Sequence, residues 1–302
     1  VPYCFAPDTS FWMQNGRPYG WLPGSAPNKA RSFIGQTTEV AMDFSQENAG
    51  AIGLANFLVN VAFYTREDKK QMKKTADILK GIIAETRAIQ PDELYDMIAG
   101  MFAHNDENFD KVHKIVVNMF NDQKSIEEIL NALYGKEIQD CLQQFVHVMH
   151  NSFRIGGDSP FTNISLFCSD TIDKTFKDAV YPDYSKPTDN IDEIMWVQNL
   201  YAEFFAKGSP ITGKNYRFPV TTVNVRTRPA TAEERALNPK RKHVIIDREF
   251  FENMCKLNAK RGAFNIHKGE KIASCCRLTS DLSALKSQIK MDSFGNGGMS
   301  IG

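Results

Sequence analysis

Residues 154–168 read Arg154-Ile155-Gly156-Gly157-Asp158-Ser159-Pro160-Phe161-Thr162-Asn163-Ile164-Ser165-Leu166-Phe167-Cys168. Paired glycines allow a sharp turn and let a ligand come close to backbone N–H groups, since neither carries a Cβ. A plain turn accounts for them equally well. From Pro160 to Cys168 the apolar residues are arranged as in a strand. At its start, Thr162 and Asn163 carry side chains that suit either a ligand contact or an internal hydrogen bond.

Strands and helices alternate after this segment. The pattern predicts a long helix over about 189–207, with Ile191, Ile194, Met195, Tyr201, Phe204 and Phe205 as its apolar residues. Gly208 suits the position just past its end, and Pro210 follows. Phe218 to Arg226 is short and β-branched, which predicts a strand. Residues 247–261 read as a helix ended by Gly262.

The part before is richer in helix. Residues 1–31 hold many Pro, Gly and aromatic residues and read as loop with one short strand near Tyr3–Ala6. Helical spacing runs from about Arg31 to Tyr64, with Gly50 and Gly53 read as points of close helix packing. Residues 67–88 form an amphipathic pattern. Met72, Ala76, Leu79 and Ile83 lie on one face and Lys69, Lys70, Lys73 and Lys74 on the other, which is either a solvated face or a phosphate site. Pro91, Asp92 and Glu93 suit a helix start, followed by Leu94, Ile98 and Met101 on one face. Ser125 and Glu128 have capping-box spacing, and the helix after them is expected to pass Cys141 and reach Met149. The fold class is therefore α/β, helix-rich over 31–150 and alternating over 151–302, with strands enclosed by helices and no linker dividing the chain.

Composition agrees with a globular protein. The 302 residues carry 36 basic and 36 acidic side chains, so 36 − 36 leaves no formal charge, and 42% are hydrophobic. A neutral chain lacks the usual electrostatic reason to bind nucleic acid or a membrane surface directly. The most apolar stretch, 49–64, is interrupted by Asn56 and Asn60 and is short of the roughly 20 apolar residues of a membrane span. No signal peptide is visible, so Cys4, Cys141, Cys168, Cys255, Cys275 and Cys276 read as reduced cytoplasmic thiols. No spacing suggests a zinc site, and His147 and His150, three apart on a helix, suit a surface or core-edge role.

Cys275 and Cys276 are adjacent. Their Cα atoms lie about 3.8 Å apart across a trans peptide, whereas relaxed disulfides span roughly 4.4–6.8 Å. Core filling and a reactive thiol both remain open, and the neighbouring Arg277 favours the second by lowering a thiol pKa. Phe294-Gly295-Asn296-Gly297-Gly298 lacks the lysine and spacing of a phosphate-binding loop and reads as a flexible loop. Cys141, Cys168 and Cys255 read as structural.

Four segments in order resemble the anaerobic (class III) ribonucleotide reductases, which are glycyl-radical enzymes. They are Pro2-Tyr3-Cys4-Phe5-Ala6 with Asp8; Gly35-Gln36 with Gln46-Glu47-Asn48-Ala49-Gly50-Ala51; Gly156-Gly157 with Ser159-Pro160-Phe161-Thr162-Asn163; and Gly262 to Leu278 with Ser274-Cys275-Cys276-Arg277. The resemblance implies part of a ten-stranded α/β barrel threaded by a finger loop. It implies that Cys276 becomes a thiyl radical that takes the 3′ hydrogen of a ribonucleoside triphosphate, with Cys4 as the second thiol assisting reduction at C2′. Ser274, Cys275, Thr162, Asn163 and Ser159 become candidate substrate contacts.

The resemblance further implies ATP and deoxynucleotide effectors, with a dimer surface between about residues 55 and 115. It implies formate or a dithiol as reductant and a radical-SAM activating enzyme. The glycyl radical and the family's cysteine-rich zinc site are expected on a portion outside this chain. The sequence is expected to begin inside the first barrel strand, to stop inside the finger loop, and to be inactive without a C-terminal portion, whether supplied by a longer protein, a homodimer or a second chain. Two other classes stand beside this one. One is another glycyl-radical enzyme of the formate-lyase kind, and the other a non-catalytic nucleotide-binding subunit with the same fold.

Overall fold

The computed structural model describes residues 4–17, 23–85, 126–151, 159–269, 272–273, 279–280 and 298–301. The contacts divide the chain into two compact units, residues 1–66 with 138–302, and residues 67–137. The division runs through two helices, α3 (Phe57–Glu85) and α4 (Ile126–His150). Helical sequence offers no Pro/Gly-rich break, so no linker is visible there.

The larger unit is built on a six-stranded sheet. Its parallel strands are β1 (Cys4–Pro7), β2 (Ile52–Leu54), β3 (Thr162–Phe167), β4 (Val220–Val225) and β7 (Asn265–Lys268), neighbours in that order. An outer strand, β10 (Gly298–Ile301), runs antiparallel to β1. Two smaller antiparallel pairs are β5 (Thr227–Pro229) with β6 (His243–Ile245), and β8 (Ile272–Ala273) with β9 (Thr279–Ser280). The helices joining the strands are α1 (Ser10–Asn15), α2 (Ala30–Glu47), α5 (Ser169–Thr175), α6 (Ile191–Lys207), α7 (Ala232–Leu237) and α8 (Arg248–Ala259).

All six residues of β3 are buried, as a central parallel strand covered on both faces requires. Ile52, Leu54, Ile164, Leu166 and Val223 are fully buried on one face. Each such side chain contributes about 1.5–3 kcal/mol relative to exposure. Thr221 belongs to this face, where its hydroxyl meets the Tyr201 hydroxyl of α6 at 2.8 Å. Burial raises the pKa of that tyrosine, which remains a neutral phenol. Gln198 of α6 bonds both main-chain groups of Phe167, accepting from N at 2.6 Å and donating to O at 3.0 Å.

Three sequence expectations change. Residues 52–54 form strand β2 and do not continue a helix, so Gly53 is a strand residue. Residues 10–15 form α1 where loop was expected. Residues 298–301 form β10 beside β1, because Gly298 to Ile301 pair with Pro7 to Cys4, so this end is not wholly loop or finger loop. Within the smaller unit, Lys70, Lys73 and Lys74 are exposed, as a solvated face requires, and Tyr134 donates to Asp68 at 2.6 Å. The expected helix start at 91–101 and Ser125 lie outside the described residues. Among the described residues, no helix is long and apolar enough to cross a membrane.

Candidate active site

Strand pairing determines which side chains share a face. Paired residues of parallel neighbours point the same way, and successive residues point opposite ways. Phe5 pairs with Ile52, Ile52 with Thr162 and Gly53 with Asn163. Ser165 pairs with Thr222 and Phe167 with Asn224, while Thr222 pairs with Asn265 and Asn224 with His267. The face opposite the apolar one therefore carries Cys4 and Ala6 on β1, Gly53 on β2, Asn163, Ser165 and Phe167 on β3, Val220, Thr222 and Asn224 on β4, and Asn265 and His267 on β7. Apart from Phe167 and Val220, at strand ends, its side chains are small or polar, an unusual choice for a sheet face.

Cys4 is 3% exposed, and its sulfur accepts the Ala51 N–H at 3.4 Å. Ala51 and Phe161 pack against it, and the Phe161 ring lies 5.1 Å from that of Phe218. The base of the site is thus apolar, with the polar row above it. β1 is anchored past its C-terminal end. Asn56 donates to Asp8 at 2.6 Å, Thr9 donates from N and from its hydroxyl to Asn56 at 3.1 and 3.0 Å, and Asn60 donates to Thr9 at 2.7 Å. This network ties β1 to the start of α3 and so sets the strand that bears the cysteine.

Asn163 is fully buried. Its amide nitrogen donates to the Thr222 hydroxyl at 3.4 Å, and its side-chain oxygen has no hydrogen-bond partner among the described residues. Asn224 donates to the carbonyls of Leu166 and Thr222, both at 3.4 Å. Thr162 points to the apolar, helix-covered face, where its hydroxyl is buried without a partner among the described residues. Alternation thus separates two residues that the sequence groups together. Ser159 donates to the His150 carbonyl at 2.9 Å, at the end of α4.

Ser274, Cys275 and Cys276 lie outside the described residues, as do Gly156 and Gly157. The pairing of Ala273 with Thr279 flanks the three in sequence, and β8 approaches β4, the strand of Thr222 and Asn224. Cys141 and Cys255 are half-buried helix residues. Cys168 is buried, with its sulfur 3.0 Å from the Thr171 hydroxyl. Sequence reasoning missed Gly53, Thr222 and Asn224. A polar residue at alternate positions of an otherwise β-branched strand, as in 220–225, is the signal that marks the last two.

A family model described as anaerobic ribonucleoside-triphosphate reductase matches residues 1–302. The chain belongs to this family. None of the curated proteins matches it in sequence. Among solved structures, it is similar to the anaerobic ribonucleotide reductase from Thermotoga maritima in complex with dATP and CTP. The identity is 20%, 91% of this chain and 35% of that chain are covered, and the TM-score is 0.60. The structure of the same protein with glycerol in the active site gives 21% identity, 91% and 34% coverage and a TM-score of 0.60. A further structure described as an anaerobic ribonucleotide reductase gives 20%, 93% and 34%, again with a TM-score of 0.60. The chain spans about a third of the length of these structures. The parallel sheet of the reductase-family chain is thus part of an α/β barrel of the glycyl-radical type, and the face with Cys4 is one of its two sides.

Proposed function

We propose that this chain forms the cysteine-bearing part of the barrel in an anaerobic ribonucleoside-triphosphate reductase. The observation that carries the reading is the buried thiol of Cys4 on a small, polar face that also presents Asn163. Cys276, as a thiyl radical, takes the hydrogen from C3′ of the ribose, breaking C–H and forming S–H. Cys4 donates its proton to the 2′-hydroxyl, which leaves as water. Once C2′ is reduced, Cys276 gives the hydrogen back to C3′ and is again a thiyl radical, so that in the net reaction C2′ gains a hydrogen in place of its hydroxyl. The two electrons come from formate, which leaves as carbon dioxide, or from a dithiol, which leaves as a disulfide. The buried sheet face holds the ribose in register and excludes water from the radical.

Asn163 is assigned to the substrate, with Ser274 and Cys275 next to the radical thiol. Thr162 and Ser159 are assigned to support of β3, because one faces the helices and the other is bonded to His150. The initiating glycyl radical, installed by a radical-SAM activating enzyme, is expected on a glycine outside this chain. ATP and deoxynucleotides are expected as effectors, a dimer or companion chain as the assembly, and the cytoplasm as the compartment.

The test is calorimetric titration of the complete protein containing this chain with ribonucleoside triphosphates, followed by anaerobic turnover of the radical-bearing form. Binding together with 2′-deoxynucleotide formation that Cys276→Ser abolishes supports the reading. Absence of nucleotide binding points to a formate-lyase-type enzyme. Function that survives Cys276→Ser points to a non-catalytic subunit.

A further inference from the structure

We infer that Asn163 is a hydrogen-bond acceptor for a ribose hydroxyl and that Thr222 is the residue that positions it for this task; the inference rests on the ribonucleotide reading above. A carboxamide has a donor end and an acceptor end. Here the donor end is held by the Thr222 hydroxyl, and the acceptor end has no partner among the described residues, in a residue with no solvent exposure. A buried acceptor left unpaired is destabilising, and native proteins leave few of them. This one lies on the face of Cys4, two strands away, about 10 Å laterally at ordinary strand spacing, and two residues further along the register. On the strand between them Gly53 is level with Asn163, while Cys4 is level with Ala51, so this strand places only small residues between the thiol and the amide.

The free end determines the chemistry of the ligand. An amide oxygen cannot bind an ionised phosphate, whose oxygens only accept. It requires an O–H or N–H donor. Near C2′, where Cys4 acts, a ribonucleotide offers the 2′- and 3′-hydroxyls. The bases carry donors as well, amino groups in some and a ring N–H in uracil, but a site that served them would discriminate between bases. Thr222 does not touch the substrate on this account. Its hydroxyl accepts from the N–H₂ end, the arrangement that leaves the amide oxygen for the ligand.

The experiment uses the complete protein containing this chain, without the radical, and measures dissociation constants for UTP, 2′-deoxy-UTP, 3′-deoxy-UTP and CTP. In the unaltered protein, loss of the contacted hydroxyl weakens binding about tenfold, the scale of one hydrogen bond to a buried group. Asn163→Ala removes that discrimination for one of the two deoxy analogues, which identifies the hydroxyl, and affects UTP and CTP alike. Thr222→Val, which keeps the shape, reduces the same discrimination, and Thr222→Ser restores it. A merely structural threonine would shift all four constants together. If Asn163→Ala or Thr222→Val folds with an unchanged ratio of ribose to deoxyribose affinity, the inference fails while the reductase reading stands. If Asn163→Ala does not fold, Thr222→Val decides alone. If the unaltered protein binds no ribonucleotide, both fail.

Discussion

Cys4 and Asn163 stand on one face of the parallel sheet, two strands apart, and the strand between them carries Gly53 level with Asn163. A glycine within a strand costs stability relative to a β-branched residue, and it commonly marks a close approach by a ligand. Gly53→Val in the complete enzyme is expected to leave the melting temperature unchanged or raise it, while increasing KM for ribonucleotides by about tenfold or more by filling the space beside Asn163. An unchanged KM would mean that the ligand does not cross this point.

Thr162 tests the face assignment from the other side. Its hydroxyl is buried without a partner among apolar neighbours, which is unfavourable by about 1–3 kcal/mol. Thr162→Val replaces it with a methyl of the same shape in a strand that favours valine. Chemical denaturation is expected to show increased stability, and titration an unchanged nucleotide affinity. Weakened nucleotide binding would put Thr162 on the cysteine's face.

Gln198 is the only described side chain seen to bond both main-chain groups of Phe167, at the end of β3. Gln198→Leu leaves an N–H and a C=O buried and unpaired. The expected loss is about 2–4 kcal/mol in urea unfolding, with no new cavity, since leucine occupies similar space. A loss below about 1 kcal/mol would show that β3 does not depend on this clamp.

His150 predicts a pH dependence. Its Nδ1 accepts the Arg217 N–H at 2.9 Å, so the ring must be neutral there. Burial first, then the charges of Arg217 and His147, lower its pKa from the ordinary 6.5. Between that ordinary value and the lowered one, the unfolded chain binds the proton and the folded chain does not. Stability is therefore fully present above about pH 6.5 and falls as the pH drops through this window, levelling off below the lowered value. His150→Asn keeps an acceptor for Arg217 but does not titrate. Melting curves across this range should slope less for the variant than for the unaltered protein, and identical slopes would remove His150 as the cause.

The elements that could be read from sequence are those with a long or clean period. The helices at 191–207 and 248–259 and the strands at 162–167 and 220–225 all lie within the expected segments. β2 was hidden because three residues cannot establish a period, and its flanks at 30–47 and 57–85 are both helical. Cys4 and Asn163 stood out through the four motifs. Their shared face did not, because it depends on register between distant strands. The bond from Asn163 to Thr222 joins residues 59 apart in the chain. The role of Thr222 is therefore a product of the sheet rather than of any local pattern.

The central claim is that Cys4 works as a thiol on the reacting ribose. Its most direct test is Cys4→Ser in the complete, radical-bearing enzyme, a change of one atom in a side chain that is 3% exposed. Deoxynucleotide formation and the glycyl-radical signal would be measured on the same sample. The account predicts an unchanged radical signal and ribonucleotide affinity with no deoxynucleotide product. Turnover that continues at the original rate with serine at this position would contradict it.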